Sequence, residues 1–133
     1  MITQEEIAIK VREVLLASNH DGVPVVWQRT GYNQTEEIVI VKGYADGEGS
    51  FRNAAITVNI HVPDIFNNES QVYEENGSRL IVLKKLVNAA LSRYYWTGTG
   101  INWEVTGMSQ PMKERDYNEH FVSVRITAHI RES

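Results

Sequence analysis

The chain closes on a regular alternation. Val122, Val124, Ile126, Ala128 and Ile130 are interleaved with Ser123, Arg125, Thr127 and His129. Successive strand side chains point to opposite faces, so the segment predicts a strand with one apolar and one polar side. Such a strand is not stable alone, and its apolar side must be covered by other elements. The rest of the chain offers them in a definite order: a helix, three strands, a long helix and a fourth strand before this fifth one.

Thr3 and Glu6 have the spacing of a capping box, and Ile7, Val11, Val14 and Leu15 follow as an amphipathic stripe. Asn19-His20-Asp21-Gly22 ends that helix. Val23 to Arg29 reads as a strand, with Pro24 favouring an edge or a strand end. Gly31-Tyr32-Asn33-Gln34 turns the chain into a second strand, Glu37 to Tyr44, and Asp46-Gly47-Glu48-Gly49-Ser50 connects it to a third, Phe51 to Val62. From Ser70 to Tyr95 the period becomes helical, with Leu80, Leu83, Val87, Ala90, Leu91 and Tyr94 on one stripe and Gly77 as a weak point. Thr97-Gly98-Thr99-Gly100 stops the helix, Ile101 to Met108 is the fourth strand, and polar Ser109 to Glu119 leads to the fifth.

These elements predict a two-layer α+β fold in the order α-β-β-β-α-β-β: a mainly antiparallel sheet of four to five strands with two helices, forming a single domain over 1–133. A hydrophobic content of 42% is enough for a packed core in a chain of this length. No apolar run approaches the ~20 residues of a membrane helix, and the first residues lack the basic-then-apolar order of a signal peptide. The chain has no cysteine, which excludes disulfides, thiolate zinc sites and a cysteine nucleophile. A net charge of −4 argues against general electrostatic binding of nucleic acid.

The remaining polar constellations read as structural. His61 and His129 share the polar faces of the third and fifth strands, but their neighbours there include Arg125, a poor companion for a cation. Glu114, Asp116 and Glu119 lie among Lys113 and Arg115, as in an ordinary solvated loop. Pro63-Asp64 lacks the following acidic and lysine residues of a magnesium nuclease, and Gly98-Thr99-Gly100 follows a helix where a dinucleotide fingerprint needs a strand. No catalytic residue, metal ligand or cofactor is expected. Ile38-Val39-Ile40-Val41 is apolar on both faces, so either the helices take opposite sides or a second subunit covers one of them. The candidate interface residues are Trp27, Val39, Val41, Tyr44, Phe51, Trp103, Met108 and Met112, and for the aromatics ordinary core is the competing reading. The loops Ala45–Ser50 and Met108–Glu119 are expected to protrude as contact elements.

In its order of elements (Glu5 to Leu16, Val25 to Tyr44, Phe51 to Val62, Leu80 to Tyr94 and Glu119-His120-Phe121-Val122-Ser123-Val124-Arg125-Ile126) the chain resembles the tail-terminator and tail-completion proteins of long-tailed bacteriophages. The likeness covers essentially the whole chain. It implies a structural, non-enzymatic homo-oligomer: a ring, typically a hexamer, that caps the tail tube and joins it to the head connector. Tail-tube and head-connector proteins would be its partners, and DNA would pass through the channel without specific binding. It would occupy the virion tail, and the host cytoplasm during assembly, with no membrane contact. Two other classes stay open: a ferredoxin-like module binding peptide or nucleic acid on its sheet, and a small enzyme with an inter-subunit site drawing on His61, His120 or Glu104.

Overall fold

A computed structural model describes the backbone of residues 3–46 and 51–131, and the side chains of 3–42 and 53–130. The capping box forms as expected: Thr3 Oγ1 accepts from the Glu6 amide at 3.2 Å, and the Thr3 amide donates to Glu6 Oε1 at 3.4 Å. It starts α1 (Gln4–Ala17), which buries Ile7, Ala8, Val11 and Leu15. The strands are β1 (Val25–Val26), β2 (Glu37–Asp46), β3 (Phe51–Pro63), β4 (Ile65–Asn67), β5 (Val72–Glu74), β6 (Arg93–Trp96), β7 (Ile101–Met108), β8 (Met112–Lys113) and β9 (Glu119–Arg131), with α2 (Gly77–Leu91) between β5 and β6.

The main sheet runs β1-β2-β3-β9-β7-β6, with β8 added to β9, while β4 and β5 pair only with each other. This is an α+β fold with two helices, as expected, but the sheet has more strands than predicted and is mixed. β1 lies parallel to β2, whereas the other pairs are antiparallel. The predicted first strand shrinks to two residues because Pro24 has no amide to donate and Arg29 is drawn inward by carboxylates. The predicted long helix begins only at Gly77. Asn76 caps it, its Oδ1 accepting from the Arg79 amide at 3.3 Å, so the glycine sits in the first turn, where it costs little. Tyr94 belongs to β6, and its ring stacks on Trp103 with centroids 4.4 Å apart.

One face of the sheet carries Ile38, Ile40, Ile56, Val58, Ile60, Val122, Val124, Ile126 and Ile130, and both helices pack on it. Leu80, Leu83, Val87 and Leu91 of α2 complete this core. Each fully buried leucine there contributes about 2–3 kcal/mol. The sheet curls: α1 packs on β1 and β2 near one edge, yet Lys10 sits 5.4 Å above the ring of Trp96 on the opposite edge strand. Arg79 ties the start of α2 to the loops before and after β1. It grips Glu36 through two bonds, at 2.6 and 2.9 Å, and reaches Asp21 at 2.6 Å. Among the described residues no helix is long and apolar enough to cross a membrane.

Candidate functional site

The face away from the helices is polar in its middle and closed at one end. Glu37, His61 and Glu119 stand on neighbouring strands there, because β2 pairs with β3 and β3 with β9 in one register: Glu37 opposite His61, His61 opposite Phe121, Pro63 opposite Glu119. The loop between β1 and β2 folds over them and inserts Arg29. Its guanidinium lies 2.6 Å from Glu37 and 2.8 Å from Glu119, and the side chains of Arg29, Glu37 and Glu119 are 4%, 5% and 0% exposed.

Glu37 is fully engaged. Its Oε1 accepts from Arg29, from the Thr30 amide at 2.9 Å and from the Gly31 amide at 3.0 Å, while Oε2 accepts from the Thr30 hydroxyl at 2.7 Å. Burial alone would raise its pKa; the four bonds outweigh it and bring the carboxyl down to about 2. Glu119 accepts from Arg29 Nε at 3.0 Å and from the Asn33 amide at 3.4 Å, and Asn33 Oδ1 in turn accepts from the Asn118 amide at 2.7 Å. A Cβ at Gly31 would meet the Thr35 hydroxyl, so a larger residue there would have to turn the Thr35 side chain away. The ring of Tyr32 stacks on Tyr117 with centroids 4.0 Å apart, joining the two loops that seal the end. Two carboxylates thus already hold a cation, and the cation is Arg29.

His61 lies at the floor of this cluster, stacked on Phe121 with centroids 4.9 Å apart. Its Nδ1 is 3.3 Å from Glu119 Oε2 and 3.6 Å from Glu114 Oε2, out of line for a hydrogen bond with either. Burial first, then Arg29, holds its pKa below the ordinary imidazole value against the pull of both glutamates. The favoured species is neutral.

Several expectations are corrected by this geometry. Glu119 is no solvated loop residue; it opens β9 and is wholly buried. His61 and His129 do not meet, because His129 is opposite Asn53, eight residues along β3 from His61 and so about 25 Å away. Val39 is 6% exposed in the single chain and needs no partner to cover it, and Trp103 is core at 1%. Trp27, Val41, Met108 and Met112 are exposed; Trp27 borders a shallow groove of about 310 Å³ with Glu5, Ala8, Ile9 and Lys42. The side chains of Tyr44 and Phe51 and most of the loop 45–50 lie outside the described residues.

Sequence reasoning missed a second feature, the hairpin of β4 and β5. Asn67 shapes its tip: Oδ1 accepts from the amides of Glu69 and Ser70 at 2.9 and 3.2 Å, and the Asn67 carbonyl accepts from Gln71, which takes a left-handed φ of 62°. Its base is fixed where the Asp64 amide donates to the Asn118 carbonyl at 2.9 Å and Asp64 Oδ1 meets His120 Nδ1 at 2.7 Å. Between tip and base, Ile65, Phe66, Val72 and Tyr73 are 53%, 41%, 50% and 52% exposed. The alternation that would have marked these strands is hidden by their three-residue length.

No protein-family model matches the chain. No curated protein matches it either. Several solved structures match it, and one of these superposes on all of this chain and on 99% of its own, with a TM-score of 0.53 and 14% identity. At that identity the likeness shows the fold alone.

Proposed function

We propose that the chain is a structural assembly subunit, a ring-forming tail-terminator or tail-completion protein that caps a phage tail tube and joins it to the head connector. The observation that carries the reading is the β4–β5 hairpin. A two-stranded sheet with no core of its own leaves four large apolar side chains about half exposed, a cost that contact with another protein surface removes. The charged cluster supports it too, because its carboxylates are consumed in holding loops together. The net charge of −4 suits a channel through which DNA slides without sticking.

Deleting the gene from its phage genome and imaging the lysate by electron microscopy tests this directly. Heads and tails that accumulate unjoined, and join when the protein is added back, are expected. Complete particles in the deletion lysate would overturn the reading.

A further inference from the structure

We infer that the β4–β5 hairpin of one copy docks on the outer face of α2 in a second copy, head to tail. The inference deepens the ring-forming reading and rests on it. Two consecutive segments carry the argument. Residues 64–76 contain Asp64, Glu69, Glu74 and Glu75 and no basic residue; residues 77–93 contain Arg79, Lys84, Lys85 and Arg93 and no acidic one. The hairpin is therefore apolar and acidic, while α2 carries Arg79, Lys84 and Lys85 and no carboxylate; with Arg79 already held by Glu36 and Asp21, Lys85 is the exposed cation of its outer face.

The outer face of α2 is also apolar where it meets water. Ser78, Ile81, Val82, Lys85 and Ala89 recur at helical spacing and are all exposed, with Ile81 at 54% and Val82 at 45%. Each surface thus offers what the other lacks: Ile65, Phe66, Val72 and Tyr73 framed by Glu69 and Glu74, against Ile81 and Val82 framed by Lys85. Within one chain the two do not pack together to any depth, and Asp64 fixes the hairpin's base to β9 and its preceding loop through His120 and Asn118. Because the two surfaces differ, the contact is heterologous, and repetition produces a ring or an open helix instead of a closed pair.

The absence of cysteine makes the test clean. Tyr73→Cys and Val82→Cys are made in separate full-length chains, which are mixed under mild oxidation and run without reductant. A reducible dimer that forms in the mixture and in neither variant alone is expected. Separately, Glu74→Lys should weaken self-association about tenfold in sedimentation, with Lys85→Glu in the same chain restoring it. Dimers of Tyr73→Cys by itself would mean that hairpins pair with each other, and would overturn the inference. So would a mixture that stays monomeric. If crosslinks fail while gene deletion still leaves heads and tails unjoined, the docking is wrong and the assembly role stands.

Discussion

At the loop-covered end of the sheet the chain buries charge, whereas in the β4–β5 hairpin it exposes apolar side chains. Each region inverts the ordinary rule of burial, and they do so with different consequences. The charged end compensates internally: Arg29 is paired with Glu37 and Glu119, and the backbone of Thr30, Gly31 and Asn33 supplies further donors to the carboxylates. The hairpin has no such compensation: Phe66 and Tyr73 pack on each other, with centroids 5.1 Å apart, yet stay 41% and 52% exposed. A buried charge that is answered within the chain marks structure. Apolar surface left unanswered points outward, to something else.

The largest effect expected follows from breaking the internal compensation. Arg29→Met leaves Glu37 and Glu119 buried without their cation and should cost about 3–5 kcal/mol of unfolding free energy in urea titration. Adding Glu37→Gln and Glu119→Gln to the same chain should recover most of that loss, because the penalty belongs to unpaired charge. A loss below about 1 kcal/mol for Arg29→Met would show that water reaches the cluster and that it is not sealed.

Acid probes the same network through Glu37. Its carboxyl titrates near 2 when folded, against 4.5 ordinarily, so the unfolded chain binds the proton first as pH falls. The stability this supplies is complete above about pH 4.5 and is lost as the pH drops towards 2, a total of about 3 kcal/mol. Urea midpoints measured across that window should fall steeply for the native chain and more gently for Glu37→Gln. Parallel slopes for the two would show that Glu37 carries no depressed pKa.

How much of this was legible beforehand follows from the range of the interactions involved. The capping box of α1 and the alternation of β9 are local patterns, and the strand read at Ile101 to Met108 coincides with β7. The start of α2 was misplaced because Val72 and Tyr73 fall in phase with its apolar stripe, while the three-residue β5 is too short to show a period of two. The charged cluster was invisible for a different reason. Glu37, His61 and Glu119 are brought together by strand register, and Arg29 by a loop whose path no local propensity encodes. The one available signal was an arginine two positions after the apolar run Val25-Val26-Trp27, and an exposed strand end explains that spacing equally well.

The smallest expected effect is on the hairpin, and it sharpens the contrast most. Phe66→Ser with Tyr73→Ser removes two large aromatic rings, a change that in a core would cost several kcal/mol. Both side chains are about half exposed and neither belongs to the core cluster, so only their cross-strand contact is lost and the unfolding free energy of the dispersed chain should move by no more than about 1 kcal/mol. Hydrogen exchange should agree: amides of β4 and β5 exchange close to the rate of an open chain, while those of β3 and β9, at the centre of the sheet, are the slowest. A loss above about 1 kcal/mol would make the hairpin part of the fold's own packing and erase the difference between the two regions. With stability so little changed, whatever benefits from those rings lies outside the single chain.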